Sequence, residues 1–347
     1  MILQHGVRFS VMPLALVDQE RNINIAMAHL LNKLKSLISG EKPHKNSLQY
    51  EEVSGDFDGQ YKECSFSSQA GEQVTEIHYS DWGKDSDPVI LCVHGLTGNG
   101  YDFDFLAPAL VDEGYRVIAV DLVGRGRSSF LEDPLLYNYE TYIADLLALI
   151  KHLNVKEVDW LGVSLGGLLG MCVAAMDESP IRRLIINDVG PEVPQKALDF
   201  IYDVIRVPYY FDTVHDLEAR MRKTRGLTWG PLKAVHWHHM AEHNARACDD
   251  GRITYAYDAQ IARIFESEPV GNADLWACWD AIKVPVFVIH GGFSVLLTKA
   301  ILKKMEQRGP EYDLVRFHDC GHVPSLMRAK HIHEITRWLK STCNVLS

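Results

Sequence analysis

The sequence predicts an α/β domain built around a parallel β-sheet, with a helical insertion. Three observations predict it. Short, continuously apolar runs recur along the chain, as strands buried on both faces require. Helical periodicity fills the segments between them. The alternation breaks off after residue 190 and resumes near residue 280. Strands separated by helices lie side by side through right-handed crossovers, which makes the sheet parallel. A length of 347 residues suits one large domain carrying an insertion.

Residues 1–73 read as an N-terminal arm. Within it Ile23, Met27, Leu30, Leu31, Leu34, Leu37 and Ile38 share one helical face, and Gly40 and Pro43 close the helix. This helix is expected to pack on the main domain. Lys33 and Lys35 are thin support for a membrane-surface or partner-binding role. Residues 55–71 are polar and turn-rich. The first part of the core is 74–190. It holds strands at 88–94 (PVILCVH) and 116–121 (RVIAVD), a helix over 137–153, and strands within 155–163 and at 181–187 (IRRLIIN). Residues 191–279 are rich in helical signals and aromatics, without a clear strand, and read as a helical cap. The core resumes over 280–347 with a strand at 284–290, a helix at 298–307, a strand at 314–317 and a helix at 330–342.

Composition narrows the function. Hydrophobic residues make up 47% and charged residues 23%, ordinary values for a folded globular chain. The net charge of −11, without a stripe of Lys and Arg, argues against a nucleic-acid partner. Seven cysteines stand singly, which argues against a disulfide framework and for a reducing, cytoplasmic compartment. No apolar stretch reaches the roughly 18 residues a membrane span needs. Residues 1–17 lack the basic start and compact apolar block of a signal peptide.

The chemistry is concentrated at Gly162-Val163-Ser164-Leu165-Gly166, a G-x-S-x-G pentapeptide. Such a serine needs a sharp turn from strand to helix that holds it in a strained conformation with Oγ exposed. The context is correct: the apolar run VDWLG precedes the motif and residues 168–175 continue it as a helix. Ser164 is therefore the candidate nucleophile.

Five segments in this order, VILCVHGLTGNGYDFDFLAPAL, VIAVDLVGRGRSS, DWLGVSLGGLLG, LIINDVGPEVP and FHDCGHVPSLM, resemble the α/β-hydrolase superfamily. They are most similar to its cap-bearing esterase, lactonase and C–C hydrolase branch. The resemblance spans about residues 74–339 and leaves out the arm. It implies a mostly parallel central sheet flanked by helices, with the cap inserted. It also implies a base on the loop after the last strand, where His322 follows Gly321, while His318 at the strand end reads as a packing or capping residue. The oxyanion would be held by backbone N–H groups. Leu165 would give one and the loop His94-Gly95-Leu96-Thr97-Gly98 the other, with Leu96 as the candidate donor and Gly95 beside it.

The triad acid departs from the family pattern. The usual aspartate position, after the 284–290 strand, is Val295. A valine cannot accept the imidazole N–H. Three readings compete: the acid comes from Asp188, as in certain haloalkane dehalogenases; the enzyme runs as a weakened Ser–His pair; or the chain is a silent binding module.

Two further features carry less. Gly124-Arg125-Gly126-Arg127-Ser128 does not open a helix in the dinucleotide-binding pattern. His236, His238, His239 and His243 cluster in the insertion, and a packed or solvated helix is the expected reading rather than a metal site. The sequence thus predicts a hydrolase acting on a small apolar acyl ester, lactone or thioester, with C–C cleavage of a β-diketone as the alternative. No cofactor or metal is expected.

Overall fold

The computed structural model describes residues 57–267 and 274–343. The helical pattern at 23–38 lies outside the described residues. An eight-stranded sheet organises the chain, in the order β1-β2-β4-β3-β5-β6-β10-β11. Its strands are β1 (Tyr61–Ala70), β2 (Gln73–Trp82), β3 (Val89–Val93), β4 (Arg116–Val120), β5 (Val158–Val163), β6 (Ile181–Asn187), β10 (Val286–Gly291) and β11 (Tyr312–Phe317). β1 and β2 form an antiparallel hairpin, and β2 pairs antiparallel with β4. From β4 to β11 all neighbours are parallel.

The hairpin corrects the reading of residues 1–73 as an arm, because β1 belongs to the sheet. β1 lies at the sheet edge, and its sequence, YKECSFSSQA, buries only Phe66 and Ala70. An edge strand wetted on one face carries too few apolar residues to be seen as a core strand. β3 shows the opposite case. All five of its residues are buried. Val89, Leu91 and Val93 join one apolar layer and Ile90 and Cys92 the other, so the run is continuous because both faces are covered.

Helices cover both faces: α1 (Ala107–Asp112), α2 (Tyr139–His152), α3 (Leu165–Ala174), α9 (Lys299–Met305) and α10 (Ala329–Cys343). Between β6 and β10 come α4 (Gln195–Ile205), α5 (Val214–Trp229), α6 (Ala234–His243), α7 (Ile264–Ser267) and α8 (Trp276–Ala281). This segment also contains three strands, β7 (Tyr210–Phe211), β8 (Ala245–Ala247) and β9 (Ile253–Tyr255), in a small antiparallel sheet ordered β7-β9-β8. Strands of two or three residues are too short to show alternation in a sequence. This sheet departs from the reading of residues 191–279 as a segment without a clear strand.

The topology sends β3, β5, β6 and β11 out at one edge of the sheet. The loops after their carboxyl ends carry His94, Ser164, Asp188 and His322 respectively. This is the edge where open α/β sheets place their ligands.

Candidate active site

Ser164 sits between β5 and α3 with φ 49° and ψ −108°. Positive φ in a residue with a Cβ is strained. Close packing enforces it. A Cβ built on Gly162 would stand 2.2 Å from Gly166 O, and one on Gly166 would stand 2.1 Å from Val93 O. Only glycine lets β5, α3 and β3 approach so closely. The Ser164 N–H donates to Asn187 O at 3.0 Å, tying the turn to β6, and the Trp160 indole N–H donates to Gly166 O at 2.9 Å.

His322 stands between two side chains. Its Nδ1 is 2.9 Å from Asp188 Oδ2 and its Nε2 is 3.1 Å from Ser164 Oγ. An ionised carboxylate only accepts hydrogen bonds, so Nδ1 carries the proton and Nε2 is left as the acceptor for the serine hydroxyl. Asp188 is fully buried, and its other partners are backbone donors: Gly291 N–H at 2.7 Å on Oδ1 and Val323 N–H at 3.3 Å on Oδ2. Asp188 and Val323 both have positive φ, 60° and 66°. For a β-branched valine this is a marked departure. Non-glycine residues held there cost about 1–3 kcal/mol each and gather at functional sites. The strain here falls on Ser164, Asp188 and the residue after His322.

Val295 is 43% exposed. The imidazole N–H that an acid at this position would receive is directed at Asp188 instead. His318, also considered at the sequence level, is exposed at the end of β11. Of the six residues singled out, Ser164, His322 and Asp188 form one hydrogen-bonded chain. Gly95 adjoins it, since a Cβ there would lie 3.6 Å from Ser164 Cβ. Leu165 is the first residue of α3, where a helix amide has no acceptor within its own helix. Leu96 belongs to the adjoining loop, where the Gly98 N–H donates to Gly95 O at 3.2 Å.

Sequence reasoning passed over two supports of this arrangement. His94 is fully buried, with Nδ1 2.6 Å from Gly95 O and with Nε2 accepting the Leu122 N–H at 3.0 Å. Because Nε2 accepts, Nδ1–H donates to Gly95 O and fixes the loop. Burial pulls the His94 pKa down to about 4, so the ring stays neutral. Arg125 is the second support. It is fully buried and donates from Nε to Leu96 O at 2.9 Å and from Nη1 to Val123 O and Tyr142 Oη, both at 2.7 Å. The GRGRS segment thus props the loop from behind.

The neighbouring groups are tuned by burial. The His290 pKa is lowered, and Cys320, two residues before His322, is raised to about 12 by burial and then by Asp319. A small cavity of about 40 Å³ adjoins the site, lined by Val163, Asn187, Val323, Trp229, Met240 and Asp102 among others. Its walls are mainly apolar apart from Asn187, Ser325 and Asp102, whose carboxyl burial pushes up to about 7.

Comparison with known proteins agrees with this architecture. A family model for the alpha/beta hydrolase fold matches residues 88–328. The chain belongs to the α/β-hydrolase fold family, and it is a hydrolase. It is 36% identical over 261 residues to a 3-hydroxybutyrate-oligomer hydrolase of Cupriavidus necator, covering 72% of this chain and 87% of the relative. It is 35% identical over 267 residues to a proline iminopeptidase of Lacticaseibacillus rhamnosus, covering 73% and 90%. Among solved structures, an alpha/beta hydrolase from Novosphingobium aromaticivorans superposes with a TM-score of 0.73 at 31% identity, covering 81% of this chain and 98% of that one. Among the described residues, no helix is long and apolar enough to cross a membrane.

Proposed function

We propose that the chain is a serine esterase that cleaves a short carboxylic ester through an acyl-enzyme on Ser164. The observation that carries this reading is the position of His322, 3.1 Å from Ser164 Oγ and 2.9 Å from Asp188 Oδ2. In this reading His322 Nε2 takes the Ser164 proton as Oγ attacks the ester carbonyl. Asp188 holds the imidazole in the required tautomer and stabilises the imidazolium that forms. The Leu165 and Leu96 N–H groups hold the oxyanion, with Gly95 leaving room for it. The imidazolium then protonates the departing alkoxide. A water, deprotonated by the same ring, releases the acid and restores the serine.

The small, mostly apolar cavity beside the site supports a short acyl group. The name of the Cupriavidus relative supports an oligoester of a hydroxy acid as the substrate class, since the bond between its units is a carboxylic ester. The name of the Lacticaseibacillus relative points to an amide instead, so the bond cleaved must be tested. A cytoplasmic setting belongs to the same proposal, supported by the absence of a disulfide among the described cysteines.

A panel of p-nitrophenyl acetate and butyrate, a 3-hydroxybutyrate dimer and trimer, prolyl p-nitroanilide and a β-diketone tests the reading. The expected result is turnover of the esters and the oligoester at kcat/KM at least ~100-fold above the anilide and the diketone. Preference for the anilide or the diketone overturns the esterase reading.

A further inference from the structure

A second cluster of ligating side chains lies between the core and the insertion. His239 and His243 are one turn apart on α6, so they share a face. The fold brings Asp104, which follows the short 3₁₀ turn Gly100–Phe103, against them. One ligating atom from each of the three lies within 4.8 Å of the others.

Asp104 is 1% exposed, and among the described residues its Oδ1 has no hydrogen-bond partner. Among the described residues its ion-pair partner is His239, with Oδ2 3.3 Å from Nε2. A buried carboxylate with one oxygen unsatisfied is costly, and among the described residues no lysine or arginine pairs with it. Arg127, the nearby guanidinium, is bound to Asp121 at 2.7 Å. The walls are aromatic: the Tyr101 ring stacks on His243 at 4.0 Å, and Phe105 and Phe57 meet His239 edge-on at 5.1 and 5.5 Å.

We propose that Asp104, His239 and His243 form a binding site for a divalent transition-metal ion of the Zn²⁺ type. Two ligands about 2.0–2.1 Å from a tetrahedral Zn²⁺ stand roughly 3.3–3.4 Å apart; Asp104 Oδ2 and His239 Nε2 are 3.3 Å apart, and the ion would displace the Nε2–H that now also faces Tyr101 O at 3.3 Å. Two imidazoles and one carboxylate suit Zn²⁺, Co²⁺, Ni²⁺ or Cu²⁺ better than Mg²⁺ or Ca²⁺, which favour all-oxygen sets. The ion would join α6 of the insertion to the segment following the loop 94–99. That segment already meets α6 through the Asn99 side-chain N–H donating to His243 O at 2.8 Å. The site is a structural clip and takes no part in the proposed chemistry at Ser164.

The test uses the full chain, stripped with chelator and titrated with Zn²⁺ by calorimetry and with Co²⁺ by its visible absorption. Wild type should bind one equivalent at this site, with Co²⁺ bands of a low-coordinate nitrogen–oxygen set. A 100-fold excess of Zn²⁺ over Kd should raise Tm by about 5 °C. His243→Asn and Asp104→Asn should each weaken binding at least ~100-fold and abolish the shift, since each removes one of only three ligands. His238→Asn, on the exposed side of the same helix, should bind as wild type. If Asp104→Asn does not fold, His243→Asn, half-buried, carries the test alone. No stoichiometric Zn²⁺ binding by wild type overturns the proposal, as does binding that His243→Asn leaves unchanged.

Discussion

Replacing Asp188 by asparagine is the sharpest perturbation the site allows, because it changes chemistry with almost no change in volume. Asp188 is fully buried and accepts three hydrogen bonds, from Gly291 N–H at 2.7 Å, His322 Nδ1–H at 2.9 Å and Val323 N–H at 3.3 Å. An asparagine has one acceptor oxygen in place of two. With that oxygen on Gly291, its NH₂ group faces His322 and Val323, and the imidazole must move its proton to Nε2. That nitrogen then cannot accept from Ser164 Oγ, 3.1 Å away. With the oxygen on His322, the NH₂ group meets the Gly291 N–H, donor against donor, in a site closed to water. The first arrangement removes the base; the second costs stability of about 1–3 kcal/mol. Loss of the correct tautomer in a serine triad is worth on the order of 10⁴ in rate, about 5.5 kcal/mol. Asp188→Asn should therefore lower kcat for p-nitrophenyl butyrate by ~10³–10⁴, with KM changed by less than about threefold. Circular dichroism and urea midpoints would show that the fold survives. Val295→Asp is the paired control. Its side chain would be solvated at a position 43% exposed, and His322 Nδ1 already has its acceptor, so turnover should stay within about twofold of wild type. Activity of Asp188→Asn within tenfold of wild type would refute the reasoning, most clearly if Val295→Asp gained activity.

Two further predictions concern the scaffold. Gly166→Ala places a Cβ 2.1 Å from the Val93 carbonyl oxygen, which backbone on both sides cannot relieve. Its stability in urea should fall by about 3 kcal/mol or more, and a loss under about 0.5 kcal/mol would show that the elbow is less tightly held than its geometry indicates. The second concerns acid. Burial holds the folded-state pKa of His94 at about 4, below its ordinary 6.5. Folding therefore favours the neutral ring, and that contribution is fully present above pH 6.5 and lost as pH falls through about 4. Over that window the unfolded chain binds more protons. Between pH 7 and 4.5 His94 should account for roughly 2–3 kcal/mol of lost stability. The loss should be smaller by that amount in His94→Gln, measured by denaturation at both pH values; equal losses in the two proteins would contradict the assignment.

Much of the fold was legible in the sequence because its strands are buried on both faces. Residues 88–94 and 181–187 read as strands without any partner in view, since a parallel sheet demands apolar residues at every position. β1 was not legible for the converse reason: an edge strand with polar SFSSQA meets water and has no reason to look like core. β7, β8 and β9 are too short to carry a period. In the site, Ser164 announces itself through a local rule, a glycine-flanked turn between strand and helix, and His322 through the family resemblance, which places a base on the loop after the last strand. Asp188 was reachable only as one of three alternatives that the resemblance left open, because valine stands at 295 where the family's usual acid falls. What selects it is the close packing of β6 against β10, which sets the Gly291 N–H against its Oδ1. The supports at His94 and Arg125, and the meeting of Asp104 with His239 and His243, depend on contacts between distant segments that no single-sequence pattern encodes.

The central claim is that Ser164 is a nucleophile activated by His322. Its most direct test is labelling of the intact protein with a fluorophosphonate, read by intact mass and by peptide mapping, in wild type and in Ser164→Ala. The account predicts one adduct per chain, on Ser164, absent from the alanine variant together with ester turnover. A folded wild-type protein that takes no label, or labels at another residue, would contradict it.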